Sequence, residues 1–331
     1  MDRNNRTLIR RALLALAFGA AAGAASAEKI GMETASTASV TGLMPQAMVG
    51  KWAKEGVDVQ LSMDQTLTKS LLKLAQGQLD ASVIPPPAYG ALMKGVGPYA
   101  KMGEKSKEMA GNVRALFGFP ASFFHPMVWA DSDIKTWADV KGKRIFIGPP
   151  AGVANAMITA LVKAGSGLEP TDYTPIKAPW GAATQNFQDG QFDVYVGSFG
   201  LGSQVLSELT IARKIRFLPI PAERAEPPVG LGMAPGKIPP KTYPGQVNEA
   251  DSQTWQTVMM VAVRKDISDD IAYKLTKSYF MNVKDIARTN DLLRHLAAGD
   301  PFAGVNMPLH PGAARYFKEA GIAVPPALMA K

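Results

Sequence analysis

The stretch that best predicts the fold is Lys141-Gly-Lys-Arg-Ile-Phe-Ile-Gly-Pro-Pro-Ala-Gly-Val-Ala-Asn155. A short apolar strand is followed there by a Gly and Pro turn and then by the start of a helix. The beginning of a helix presents unpaired N–H groups and the positive end of the helix dipole, and both attract anions. The stretch therefore predicts an α/β fold, with a small-molecule site at this turn.

Strands and helices alternate on both sides of this stretch. Short apolar strands separated by amphipathic helices predict a parallel sheet built from right-handed crossover units. The segments predicted as strands are Glu28–Met32, Val57–Leu61, Ala81–Ile84, Phe123–Ala130, Arg144–Ile147, Tyr173–Ile176, Phe192–Val196, Ile215–Ile220 and Thr257–Val263. The segment between Pro219 and Pro244 is rich in Pro and Gly, and we interpret it as a loop region.

The chain is longer than one hydrophobic core usually serves, so two lobes are expected. We place the first lobe at residues 28–126, with the C-terminal residues 256–331 returning to it, and the second lobe at residues 127–255. The strands near Phe124–Ala130 and Val258–Val263 would cross between the lobes. This arrangement predicts a hinge and a ligand cleft between the lobes.

Residues 1–27 have the pattern of a secretory signal peptide. Arginines near the start precede a short apolar run, and Ala25-Ser-Ala27 supplies small residues for cleavage after Ala27. The apolar run is shorter than a bilayer requires. We therefore expect export to the periplasm.

Composition narrows the class of protein further. The sequence contains no cysteine, so neither a disulfide framework nor a lipid-modified cysteine is expected. The formal net charge is +8, but the basic residues form no cluster, and this excludes a nucleic-acid-binding surface. A mild positive charge suits an anionic ligand.

The sequence shows none of the residue patterns typical of catalysis or metal binding. The three histidines, His125, His295 and His310, lack metal-ligand spacing, and no nucleophile motif or phosphate-binding loop is present. We therefore expect no enzyme activity, no metal and no cofactor.

Four segments resemble a known family. Ile134-Lys-Thr-Trp-Ala-Asp-Val-Lys-Gly-Lys-Arg-Ile-Phe-Ile-Gly-Pro-Pro-Ala-Gly152 is similar to the signature of the TAXI family, the solute-binding receptors of tripartite ATP-independent periplasmic (TRAP) transporters. Leu74–Asp80, Thr184–Asp193 and Val258–Tyr273 resemble further parts of that family's sequence, in the same order. The resemblance spans most of the chain after residue 27.

This resemblance implies a two-lobed, type II-like periplasmic-binding-protein fold. It also implies a monomeric receptor that closes on a small organic solute and delivers it to membrane-embedded TRAP permease subunits. The solutes of this family tend to carry carboxylates. Alternatives are the substrate-binding protein of an ABC-type importer, a periplasmic ligand sensor and, on the same scaffold, a periplasmic enzyme.

The sequence departs from the family's pattern at three places, and the most informative of them is the turn that follows Ile147. The family's turn carries hydroxyl side chains, whereas this sequence has Ala151-Gly152-Val153. Either backbone donors alone bind the solute, or the solute differs from the usual one. We prefer the second explanation, because the loss of hydroxyl donors favours an aromatic or otherwise more apolar acid.

The predicted ligand-binding residues lie at strand ends and helix starts that would face the cleft. For the Ser and Thr residues among them, helix capping is an equal alternative. The predicted residues are Thr34, Ser36, Thr37, Gln65, Thr66, Pro86, Tyr89, Ala151, Gly152, Val153, Asn155, Trp180, Gly197, Ser198 and Phe199.

Overall fold

The computed structural model describes residues 28–35, 39–150 and 154–329. The predicted signal peptide lies outside these residues. So do five predicted ligand-binding residues, namely Ser36, Thr37, Ala151, Gly152 and Val153.

Strands of the described residues form one mixed sheet in the order β2-β1-β3-β10-β4-β7-β5-β6, with β8 paired to β4 and β9 paired to β10. The strands are β1 (Glu28–Glu33), β2 (Val57–Ser62), β3 (Ala81–Ile84), β4 (Val113–Trp129), β5 (Arg144–Phe146), β6 (Thr174–Ile176), β7 (Val194–Phe199), β8 (Ile215–Phe217), β9 (Met233–Ile238) and β10 (Ser252–Arg264).

Helices connect most of these strands and cover the sheet. They are α1 (Val40–Lys54), α2 (Leu67–Ala75), α3 (Pro86–Lys94), α4 (Glu104–Ala110), α5 (Ala154–Ser166), α6 (Trp180–Gln188), α7 (Gln204–Ala212), α8 (Asp269–Ile286) and α9 (Pro311–Glu319). A 3-10 helix, Asp291–Ala298, follows α8. Within the described part of the chain, no helix combines the length and the apolar character needed to cross a bilayer.

Two long strands join the two halves of the sheet. The first half of β4 pairs with β10, and its Phe123–Met127 segment pairs with β7. Likewise β10 pairs with β9 through Ser252–Thr257 and with β3 through Met260–Val263. These pairings confirm the predicted two-lobed α/β fold.

Each half has its own hydrophobic core. The core of the first half is a single cluster of buried residues from 30–121 and 259–328. The core of the second half consists of two clusters, both formed by residues from 124–255. We call the parts around these cores the first lobe and the second lobe. The indole N–H of Trp52 in α1 donates to the carbonyl of Leu275 in α8, which ties the C-terminal part to the first lobe.

The structure corrects two sequence-based expectations. Strand β4 begins at Val113 and not near Phe123, so one continuous strand serves both lobes. Strand β9, which contains Pro235, lies in a segment that we interpreted as a loop. Among the described strands, β9 pairs with β10 alone, so it is an edge strand. An edge strand tolerates a residue without an N–H donor.

Candidate functional site

The carboxyl ends of the parallel strands in the two lobes face one another. In the first lobe, β1, β2 and β3 are parallel, and Ile84 at the end of β3 lies opposite Met260, near the middle of β10. In the second lobe, β5, β6 and β7 are parallel, and Phe199 at the end of β7 lies opposite Phe123 of β4. Ligands of open α/β sheets bind beyond carboxyl ends of this kind.

A cavity of about 750 Å³ lies where the two lobes meet at the crossing strand β4. Its volume is within the range of small-molecule sites, about 300–1,000 Å³. The cavity is lined by Ser39, Val40, Ser122, Ser198, Phe199, Gly200, Gly202, Ser203, Gln204, Val205, Arg288, Thr289, Asn290, Asp291 and Leu292.

Two helices begin at this cavity. Val40 is the first residue of α1 and Ser39 is its N-cap, and Gln204 is the first residue of α7 and Ser203 is its N-cap. Neither helix has an Asp or Glu in its first turn, so the positive end of each dipole is not neutralised by its own helix. This arrangement favours a negatively charged group in the cavity.

Charged side chains lie at the rim of the cavity. Arg288 is largely exposed, and its guanidinium is 3.7 Å from the carboxylate of Asp285. Asp291, also on the rim, forms an ion pair with Arg294. Both ion pairs are exposed and therefore weak, so the Arg288 guanidinium can also meet an anionic solute.

The predicted first-lobe residues divide into buried and accessible ones. Thr34 is fully buried, and its hydroxyl donates to the carbonyl of Thr41 at 2.6 Å, so its role here is to hold the start of α1. Pro86 and Tyr89 are also buried, and burial raises the pKa of the Tyr89 phenol. Gln65 is half-buried and Thr66 is exposed. Of these residues, Gln65 and Thr66 keep the accessibility that a ligand contact requires.

A buried acidic residue, Glu33, lies next to Thr34 at the end of β1. Glu33 is 8% exposed and accepts hydrogen bonds from Ser70 Oγ at 2.6 Å and from Lys73 Nζ at 2.5 Å. These contacts join the end of β1 to α2. They compensate the cost of burying the carboxylate, so this group is structural.

The predicted second-lobe residues lie along one edge of the sheet. Ser198 and Phe199 line the cavity, while Gly197 is buried between aromatic rings. Trp180 begins α6, is 38% exposed and packs edge-on against Phe146. The Asn155 amide donates to the carbonyls of Ile147 and Pro149, at 2.7 and 3.0 Å, and so holds the turn after β5.

Several cavity residues were not predicted from the sequence. The turn Gly200-Leu-Gly-Ser203 follows β7 directly, and Ser203 before a helix is a recognisable cap signal. Gly202 has a φ of +76°, which explains why glycine occupies this turn. The segment Arg288–Leu292 also has a cap signal, because the side chain of Asn290 accepts from the backbone N–H of Leu292 at 2.9 Å. Its approach to the cavity, however, depends on tertiary packing.

Two histidines near the crossing strand are held in their neutral form. His125 is fully buried in β4, and His295 packs edge-on against Phe123. Burial lowers the pKa of both imidazoles from 6.5 to about 4. Among the described residues, no group of three or more His, Cys, Asp or Glu side chains could hold a metal ion.

Acidification is therefore expected to destabilise the protein. The unfolded chain protonates these imidazoles near pH 6.5, whereas the folded chain keeps them neutral down to about pH 4. The stabilisation is complete above pH 6.5 and is lost as the pH falls towards 4, by roughly 1.4 kcal/mol per pH unit for each histidine. Urea unfolding at about pH 7 and pH 5 measures the loss. A His295→Phe variant should show a smaller pH dependence, and an unchanged dependence would contradict the assignment.

The fold and the paired lobes define the class: a two-lobed binding-protein fold of the periplasmic type. A sequence profile of the NMT1-like family matches residues 47–321. Because this match covers most of the sequence, the chain belongs to the NMT1-like family.

Solved structures of periplasmic binding proteins are similar to this chain at low sequence identity. The periplasmic sulfonate-binding protein SsuA from Methylobacillus flagellatus KT, assigned to a sulfonate ABC transporter, superposes with a TM-score of 0.54 at 11% identity, covering 89% of this chain and 86% of that one. The periplasmic aliphatic sulphonate binding protein SsuA from Escherichia coli gives a TM-score of 0.47 at 14% identity, with 88% and 83% covered. A TRAP periplasmic solute binding protein from Rhodobacter sphaeroides gives 0.49 at 12% identity, with 88% and 92% covered.

Proposed function

We propose that this protein is a periplasmic solute-binding protein that holds a small organic anion between its lobes and delivers it to a membrane permease. The observation that carries the proposal is the cavity between the lobes, next to Ser122 of β4, because residues of both lobes line it. A solute bound there would contact both lobes, so binding would favour the closed arrangement. The role is one of binding and transport, with no bond made or broken.

The charge of the solute follows from the cavity lining. The starts of α1 and α7 and the Arg288 guanidinium favour an anion, while the hydroxyls of Ser122 and Ser198 can donate to its oxygens. A carboxylate or a sulfonate has this chemistry. The sulfonate-binding neighbour from Methylobacillus agrees with it.

The body of the solute is proposed to be aromatic or otherwise apolar. Phe199, Val205 and Leu292 supply apolar surface to the cavity. The exposed indole of Trp180 lies on the same edge of the second-lobe sheet. This surface supports the preference for apolar acids that the sequence Ala151-Gly152-Val153 suggests.

A solute panel tests the proposal. The mature chain is titrated with ethanesulfonate, benzenesulfonate, benzoate and succinate, with benzamide and benzylamine as neutral and cationic controls of matched size. Thermal shift serves as the screen and calorimetry gives the affinity, since a ligand that binds only the folded state raises the melting temperature. We expect at least one anion to bind and both controls to fail. Binding of benzylamine or benzamide alone would contradict an anion site.

For the permease we propose an ABC-type importer. Membership of the NMT1-like family and the likeness to the Methylobacillus protein support this assignment. A TRAP permease is the second candidate, because Ile134–Gly152 resembles the TAXI signature. Export to the periplasm, which both partners require, is supported by the pattern of residues 1–27.

Uptake measurements distinguish the two permeases. Cells that carry the gene are compared with a deletion strain for uptake of the solute that the panel identifies. An ABC importer uses ATP directly, so uptake should survive collapse of the ion gradients and fail when ATP is depleted. The opposite pattern would assign the protein to a TRAP system.

A further inference from the structure

A buried hydrogen-bond chain connects the crossing strand to the wall of the cavity. His125 lies on β4, opposite Gly197, and is fully buried. Its Nδ1 is 2.8 Å from the carbonyl oxygen of Phe123, and its Nε2 is 2.8 Å from the hydroxyl of Tyr243. Tyr243, between β9 and β10, is 1% exposed.

The proton positions in this chain follow from the partners. A carbonyl oxygen only accepts, so the hydrogen of the His125 ring is on Nδ1 and Nε2 is the acceptor. The Tyr243 hydroxyl therefore donates to Nε2. Neutral imidazole is the form that burial favours.

The far side of the phenol meets the turn that lines the cavity. The Tyr243 hydroxyl is 3.3 Å from the carbonyl oxygen of Gly200, which is a second acceptor for its hydrogen. Burial raises the pKa of the Tyr243 phenol, and the neighbouring backbone of Gly202 and Ser203 opposes that rise. Ser203 is the N-cap residue that immediately precedes α7. One phenol oxygen thus links the start of α7 to β4.

We propose that Tyr243 is a positioning residue for solute binding: by bonding His125 and the Gly200–Ser203 turn, it fixes the N-terminus of α7 where the solute's anionic group lies. This inference rests on the proposed function. Tyr243 does not line the cavity and acts through the turn. Aromatic rings of His125 and Phe217 pack around it and hold the phenol in place.

Tyr243→Phe removes the hydroxyl and leaves the ring packing. We expect the affinity for the anion found in the panel to fall roughly tenfold, because the turn loses its polar contact with the phenol. The matched control is Tyr195→Phe. Tyr195 lies in the same core cluster, and its buried hydroxyl bonds Thr184 at 3.2 Å, away from the turn. Both variants should lose similar thermal stability, but only Tyr243→Phe should lose affinity.

A spectroscopic readout separates positioning from general loosening. In amide proton–nitrogen spectra of the solute-free proteins, Tyr243→Phe should shift the Gly202 and Ser203 resonances, and Tyr195→Phe should leave them in place. Unchanged resonances in Tyr243→Phe, wild-type affinity in that variant, or an equal loss in both variants would overturn the inference. Shifted resonances in a protein that binds no anion of the panel would instead count against the proposed function alone.

Discussion

Oxidation of a Gly200→Cys/Leu292→Cys variant is expected to weaken solute binding at least about tenfold, and reduction is expected to restore it. A Cβ atom at Gly200 would lie 3.7 Å from the Cβ of Leu292. This separation falls within the range of about 3.5–4.5 Å found in disulfides. The chain has no native cysteine, so no other pairing competes.

The effect follows from the place of this contact between the lobes. Gly200 follows β7 of the second lobe, whereas Leu292 packs against the first-lobe core. Cavity residues Gln204, Val205 and Arg288 are exposed in this arrangement. Small-molecule sites usually bury about 70–90% of their ligand, so the lobes must close further to cover a solute. A disulfide between Gly200 and Leu292 would fix the two lobes at their present separation and so prevent further closure.

The first control compares the oxidised and reduced forms of the double variant. The second control measures the single variants Gly200→Cys and Leu292→Cys, which cannot form the disulfide. Mass spectrometry establishes that the disulfide has formed, and calorimetry with the panel's anion measures both states. Equal affinities in the oxidised and reduced double variant would show that closure does not move this contact. That result would contradict the hypothesis that the lobes close by bending at β4 and β10.

The sequence predicts the architecture well because local signals agree with it. Short apolar strands such as Ala81–Ile84 and Arg144–Ile147 alternate with helices, and this pattern fixes the direction of the parallel strands. The full length of β4 was not predictable in the same way. Residues 113–122 pair with β10 on the way to the hinge. Pro120 lies within them, and a proline suggests that a strand is interrupted. In the structure a register shift next to its partner Val258 accommodates the proline, so the strand continues.

The candidate site was predictable only in part. Ser198 and Phe199 were identified because they end a strand, and the ends of parallel strands lie on the binding edge. Thr34 has the same position in the first lobe, but its hydroxyl is used internally by the carbonyl of Thr41. Sequence alone does not reveal which hydroxyl is already bonded. Sequence alone also does not show that Arg288, some 90 residues further along the chain, lines the same cavity as Ser198.

Val205→Trp is expected to reduce anion affinity by more than about tenfold while leaving the fold intact. Val205 lines the cavity in the first turn of α7, and it is 49% exposed. An indole at this position would occupy the space in front of the helix start. Because the side chain is not part of a core cluster, the free energy of unfolding should change by no more than about 0.5 kcal/mol.

Ile211→Trp provides the matched control on the same helix. Ile211 is 71% exposed and does not line the cavity, so the same gain in volume should leave binding unchanged. Calorimetry with the panel's anion and urea unfolding are measured for both variants. A Val205→Trp protein that binds like the wild type would place the solute elsewhere in the cleft, beyond the reach of α7. Loss of affinity in that variant alone, at equal stability, would locate the anion at the start of α7, where Tyr243 is proposed to act.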